Sequence, residues 1–498
     1  MKRPSLWLGA AAVMLLTLAA HVRGLGGQFV QWDDNTHITQ NVAIRTLSFD
    51  SLRLMFTTSI AHLYCPLTWL SFAVDYQIWG RDPFGYHLTN LLLHLANTVL
   101  VLVLVHRLIE TIPAAILTAA IFGVHPLRVE SVAWATERKD VLFCFFYLLG
   151  LLAYIRWVHA RDRRFYWGCL VLFAASALSK SAAVTFPVVL LLLDAFVFHR
   201  REPVEKLPFF VVSFLVGFAT LVAQSGGTGA TIAPESLIPL WARIGLVGYC
   251  SLFYVGKLFW PFHLAAIYPA FEDMNWRLVH AVGWLLAAVA VTRAIWTLRR
   301  RAPLLWPSWL FYLIALSPTI GLLPVGAHIV ADRYVYLALL GIALPVSVGL
   351  VAALRSAWPA AGIVLIGLAI LSDRRTRVWF DTDTLFQSVL AENPRTYTAL
   401  VNLTSWYTGL NRLDEAIAAG KRSVELRPPG LIGRTNLARA YIKAQRYREA
   451  IAVLRPTIEH GVEDYTVWEE LHECFVALGD DKNAQVAAGK MALYPMER

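Results

Sequence analysis

The chain has 498 residues and a formal net charge of +10, and it is 57% hydrophobic but only 16% charged. With a mean hydropathy of +0.54, it is too apolar for one soluble globule, which carries roughly a quarter of its residues charged. The basic residues cluster beside apolar runs instead of forming a stripe among aromatics, so nothing points to nucleic acid; five scattered cysteines without CxxC spacing support neither a disulfide framework nor a zinc site.

Taken in chain order, Met1-Lys2-Arg3 precede an apolar run from Leu6 to Ala20. This reads as an uncleaved first span with its N-terminus in the cytoplasm, since many more apolar runs follow. Residues 21–87 form a long outer loop rich in aromatics (Phe56, Tyr64, Trp69, Phe72, Tyr76, Trp79 among them), expected to lay amphipathic helices on the outer surface. Further spans are predicted at 88–106, 112–124, 140–157, 165–179, 181–198, 207–223, 278–298, 304–323, 334–354 and 358–372, about eleven or twelve crossings in all. Alternating them places Arg156 to Arg164, His199 to Lys206, and Arg299 to Arg301 in the cytoplasm, as the positive-inside rule requires. Residues 238–268 are predicted to form a hairpin or an interfacial helix broken at Trp260-Pro261, because a single crossing there exports Arg299 to Arg301.

The last stretch changes character. Tyr407, Tyr441 and Phe475 are 34 residues apart, as are Ala416, Ala450 and Ala484, with Pro394, Pro428 and Pro495 between helical segments. That period is the tetratricopeptide (TPR) signature, and three such units bury a shared core and leave a concave face for peptides. The expected fold class is therefore all-α: a polytopic membrane helix bundle over residues 1–372, then an extracytoplasmic TPR α-solenoid over 373–498.

Three charged strings interrupt the apolar pattern where spans meet the outer side. Asp33-Asp34 follow the first span, and a carboxylate there can act as a general base or hold a divalent cation. The second string runs from His125-Pro126 through Arg128, Glu130, Glu137, Arg138, Lys139 and Asp140, far more charge than a connecting loop needs. Asp332-Arg333-Tyr334 is the third, with Arg333 a candidate phosphate clamp through its paired donors. Lys180, at the outward end of two adjoining spans, faces a lipid phosphate or reaches the headgroups. No phosphate-binding glycine loop is present, so soluble nucleotide use is unsupported. Chemistry on the outer face instead calls for an activated donor that crosses the membrane, which a polyprenyl-phosphate sugar supplies.

Taken together, Asp33-Asp34, Tyr64-Cys65-Pro66-Leu67-Thr68-Trp69-Leu70-Ser71-Phe72, Pro83-Phe84-Gly85-Tyr86-His87-Leu88-Thr89-Asn90, the His125-to-Asp140 string, Ala331-Asp332-Arg333-Tyr334 and the terminal repeats resemble the transmembrane and TPR repeat-containing O-mannosyltransferase family and its bacterial relatives. The resemblance implies a GT-C glycosyltransferase bundle that moves a sugar, mannose in the animal members, from a polyprenyl-phosphate donor to a hydroxyl acceptor. The acceptor is a protein Ser/Thr or a glycan, held by the TPR domain, on the extracytoplasmic face of the cytoplasmic membrane. It further implies inverting transfer with Asp34, Asp33 and Glu130 as catalytic carboxylates, Asp34 foremost. Arg138, Lys139, Arg333 and Lys180 are then the cations for the donor phosphate, with His125, Asp140 and Asp332 in support. A divalent metal, if used, falls to Asp33 and Asp34. The chain departs from the family at Lys180-Ser181, where Lys-Glu is frequent. The competing readings are a non-catalytic membrane TPR scaffold and an O-antigen-type polymerase or ligase.

Overall fold

A computed structural model describes residues 4–60, 62–225, 238–269, 276–320, 328–353, 358–459, 461 and 464–494. The expected span ends at 321–323 and 354, and Pro495, lie outside the described residues. The described residues are helical, without a β-strand, and divide into two compact units, Met1–Asp381 and Thr382–Arg498. The division falls beyond residue 372 because helix α15 (Trp358–Thr376) runs through that position.

The first unit contains α1 (Pro4–His21), two short outer-loop helices α2 (Phe49–Thr57) and α3 (Pro66–Trp79), α4 (Pro83–Ile109) and α5 (Ile112–Val124). There follow the single turn α6 (Val129–Ala133), α7 (Arg138–Ala160), α8 (Arg163–Ser179), α9 (Phe186–Leu193), α10 (Leu207–Ser225), α11 (Leu240–Phe259), α12 (Leu278–Leu298), α13 (Leu305–Leu316) and α14 (Leu340–Ala353). Among the described residues six stretches are long and apolar enough to cross a bilayer, fewer than the eleven or twelve crossings expected: Leu6–Gly26, Pro83–Ile109, Ala135–Ala160, Ser181–Phe198, Pro203–Gln224 and Leu278–Leu298. The chain is a multi-pass membrane protein. Large apolar side chains such as Phe214 and Leu286 stay exposed on α10 and α12, as helices facing lipid require.

Two predicted elements differ in form. At 13 residues α5 rises only about 20 Å, short of the roughly 30 Å hydrocarbon core. It breaks at His125-Pro126, and the chain bends by 57° into residues 126–133. Pro126 has no N–H to continue the helix, and His125 adopts extended backbone while its ring accepts from Leu127 N at 3.2 Å. The bend turns the charged string across the end of the bundle. Residues 238–268, by contrast, hold one continuous helix, α11, which ends at Trp260; the hairpin alternative is overturned. Gly245 and Gly248 explain why it stays whole: a Cβ at either would run into α12 at Ala281 or Trp284, so the two helices pack backbone to backbone.

The second unit comprises α16 (Thr382–Glu392) and three helix pairs: α17 (Tyr397–Gly409) with α18 (Leu413–Leu426), α19 (Leu431–Lys443) with α20 (Tyr447–Glu459), and α21 (Tyr465–Ala477) with α22 (Asp481–Leu493). Corresponding helices start 34 residues apart. Each pair turns on one left-handed residue, Asn411, Gln445 or Gly479. The next residue's N–H closes the turn onto the carbonyl of Tyr407, Tyr441 or Phe475. Ala416, Ala450 and Ala484 are buried where the helices of each pair meet.

Candidate active site

The first turn of α7 carries three charged residues in succession, and at about 100° per residue they point three ways. Arg138 turns inward and is completely buried. Its Nη2 meets Asp75 Oδ2 at 2.7 Å and Tyr86 O at 2.8 Å, Nη1 reaches Ser71 Oγ at 3.2 Å, and Nε donates to Asn90 Oδ1. This guanidinium ties α3 and α4 to α7 and has no face left for a substrate phosphate.

Lys139 and Asp140 point elsewhere. Lys139 Nζ lies 3.1 Å from Glu137 Oε1, while Asp140 takes Lys180 Nζ on one oxygen and Ser131 Oγ, at 3.0 Å, on the other. Glu137 is the hub, with Arg333 Nε at 3.4 Å and Lys180 Nζ at 3.9 Å in addition to Lys139. Arg333 is fixed twice more by Glu130, whose Oε2 accepts from the Arg333 backbone N at 3.1 Å and whose Oε1 pairs with Nη1. The three cations keep an accessible edge, with side-chain exposures of 11% for Lys139, 17% for Lys180 and 10% for Arg333. That edge separates them from Arg138 and Arg128, both at 0%. These three cations therefore keep an edge at which an incoming anion can be met.

The Asp33-Asp34 pair divides its labour. Asp34 is buried, its Oδ2 accepting from Val30 N at 2.8 Å and its Oδ1 from Thr136 N at 2.9 Å and from the Thr136 hydroxyl. It staples the start of the outer loop to the turn that presents Glu137. Asp33 is only partly buried, and among the described residues no hydrogen bond or ion pair holds its carboxylate. Burial raises the Asp33 pKa, with Lys139 and Arg333 pulling it back and Glu137 adding to the rise. Burial also pushes Asp34 up to about 6, against its three donors. His37 and His328 are driven down to about 3 by burial, with Lys139 and Arg333 respectively acting in the same sense, so both imidazoles are neutral.

The remaining predicted residues lie outside this cluster. His125 is buried, bonded through Nε2 to Leu258 O at 3.0 Å, and serves the chain break. Asp332 accepts from Tyr268 OH at 2.7 Å and faces Arg375 at 3.9 Å instead of pairing with the cations of the cluster. Both Asp34 oxygens already accept hydrogen bonds, from Val30 N and from Thr136. Among the described residues no group of three or more His, Cys, Asp or Glu is placed to hold a metal ion. Sequence reading passed over Glu137 as hub and Asp75 as the partner of Arg138; a carboxylate within the apolar aromatic run of α3 was the available signal for Asp75. It also passed over the stack Trp32–Trp134–Trp379, with ring centroids 4.7 and 5.0 Å apart, on which Arg333 rests through Trp134.

These features define a multi-pass helical membrane protein with a carboxylate and three cations gathered at one end of its bundle. No family model matches the chain. It is similar to the protein O-mannosyl-transferase Tmtc2 of Drosophila melanogaster, 34% identical over 195 residues that make up 36% of this chain and 21% of the relative. Against Tmtc1 of the same organism it is 30% identical over 250 residues (47% and 28%), and against Tmtc3 24% identical over 473 residues (78% and 51%). The chain thus spans about half, or less, of the length of these curated relatives. The resemblance carried by the motifs is found again in whole-sequence comparison. Among solved structures, ArnT from Cupriavidus metallidurans bound to undecaprenyl phosphate aligns at TM-score 0.41 and 14% identity, covering 91% of this chain and 80% of that one. The Archaeoglobus fulgidus oligosaccharyltransferase in its apo form aligns at 0.43 and 14%, covering 83% and 60%.

Proposed function

We propose that the chain is an integral-membrane glycosyltransferase of the GT-C type. It moves a sugar, with mannose the first to test, from a polyprenyl-phosphate donor to a protein Ser/Thr hydroxyl on the extracytoplasmic face, with inversion. The observation that carries this reading is the pairing of one partly exposed, unengaged carboxylate, Asp33, with three edge-exposed cations. We assign the general base to Asp33 in place of Asp34, whose oxygens already accept from Val30 and Thr136.

In the step proposed, the acceptor oxygen bonds to the anomeric carbon as its proton passes to Asp33. The bond from that carbon to the phosphate oxygen breaks, and its electron pair leaves on the lipid phosphate. That group departs as an anion, so it needs cations and no proton donor. Arg333, Lys139 and Lys180 supply them, held in place beforehand by Glu130, Glu137 and Asp140. The extracytoplasmic placement of the second unit, and its identity as a TPR domain holding the acceptor, belong to the same proposal; the 34-residue helix pairs support it.

The test follows radiolabel from a polyprenyl-phosphate sugar into protein in membranes carrying the chain. Transfer by the wild type and its loss in Asp33→Asn at equal abundance are expected. Full transfer by Asp33→Asn overturns the base assignment, and no transfer by the wild type overturns the reading.

A further inference from the structure

The end of α15 carries arginines that the transfer step leaves unused. Arg374 and Arg375 lie in its last turn, Arg377 opens the short turn Arg377–Trp379, and Arg23 joins them from the end of α1. Asp373 lies 2.8 Å from Arg23 Nε and 3.6 Å from Arg377 Nη2, so one carboxylate serves two cations. Arg374 is exposed and, among the described residues, has no ion pair. Arg375 is drawn inward, with 12% of its side chain exposed. Its Nη2 stops 3.9 Å from Asp332 Oδ2, and neither Nη2 nor Nε has a hydrogen-bond acceptor among the described residues. A buried donor left open costs free energy that an incoming carboxylate offsets.

Position selects the occupant. These arginines share the end of the bundle with Asp33 and Arg333, because Trp379 stacks on Trp134, beside Arg333, and Trp134 stacks on Trp32, next to Asp33. On the topology proposed above this is the extracytoplasmic end. The positive-inside rule disfavours such a cluster there, and anionic lipid is concentrated in the other leaflet. The dipole at the end of α15 suits exposed Arg374 but gives no reason to bury Arg375. Asp332 and Arg333 are consecutive in one 3-10 turn, with side chains about 120° apart. Arg375 therefore meets Asp332, while Arg333 stays with the cations assigned to the donor phosphate. Through Trp134, the rings of Trp379 and Trp32 are about 10 Å apart, a gap that an extended peptide covers in about three residues.

Resting on the transferase reading, we propose that Arg374, Arg375 and Arg377 form an acceptor subsite that recognises an acidic peptide. Its aspartates or glutamates lie about three to five residues from the accepting hydroxyl. The acceptor is thus chosen by charge close to its Ser or Thr.

The experiment uses the whole chain in phosphatidylcholine nanodiscs and two Ser/Thr peptides, alike except for Asp or Asn about three to five residues from the hydroxyl. A KM about tenfold lower for the Asp peptide is expected. In Arg375→Gln, and in the surface variant Arg374→Gln with Arg377→Gln, that ratio is expected to fall toward one. Equal KM values in the wild type, or a preference unchanged in both variants, overturn the inference. Variants that respond only to added phosphatidylglycerol, with both peptides alike, overturn it in favour of a lipid seat. A second measurement needs no turnover. A fluorescent Asp peptide with Ala in place of Ser is expected to bind the wild type by anisotropy, and about tenfold more weakly in the variants or at high salt. Equal binding of the matching Asn peptide overturns the inference. Selective binding without sugar transfer sinks the transferase reading while the acidic-peptide subsite stands.

Discussion

Asp33 and Asp34 are neighbours in sequence with opposite fates in the fold. Asp34→Asn replaces one acceptor oxygen with an NH2 that faces donors, leaving a buried polar group unsatisfied at about 1–3 kcal/mol. A lower melting temperature in detergent and reduced membrane abundance are expected, whereas Asp33→Asn loses transfer with its melting temperature unchanged. The pH behaviour separates them too. The folded state holds the Asp34 proton more tightly than the unfolded chain, so this contribution to stability is complete below the ordinary carboxylate range and lost as pH rises through about 6. The wild type's melting temperature relative to Asp34→Asn should fall between about pH 4 and 7. Transfer follows the ionised form of Asp33, so its acid limb lies above the ordinary carboxylate range; a pH–rate profile of kcat/KM with its limb in the ordinary range counts against Asp33 as base.

At the scale of elements, the first turn of α7 is both anchor and site. Arg138→Gln leaves Asp75 buried and unpaired, which costs about 3–5 kcal/mol, so the variant should unfold at markedly lower temperature. Arg333→Lys keeps the charge but cannot reach Glu130 and Glu137 together; about a hundredfold lower transfer is expected at near-normal stability, read from initial rates. In the repeats, Gln445 occupies the left-handed position that Gly479 fills in the next unit. Gln445→Gly should gain about 0.5–1 kcal/mol in chemical denaturation, since the side chain is strained there.

For the whole molecule, the split after Asp381 predicts that residues 382–498 alone give a helical, cooperatively melting domain, checked by circular dichroism. A reporter fused after Met496 tests the proposed topology, with activity expected only outside the cytoplasm. The helical class, six of the apolar spans and the 34-residue repeat were legible in the sequence because each rests on local periodicity and composition. The His125-to-Asp140 string was legible as a site because so many charges beside hydrocarbon demand partners. The identity of those partners was not legible. Whether Arg138 faces a substrate or Asp75, and which aspartate of a pair keeps its oxygens, depends on residues 48 to 102 positions away, namely Asn90 for Arg138 and Thr136 for Asp34. Chain order by itself determined what this protein must bury and where its charges lie. Only the tertiary structure decided which charges are spent on holding it together, because that turns on which donors come within about 3 Å once the helices pack.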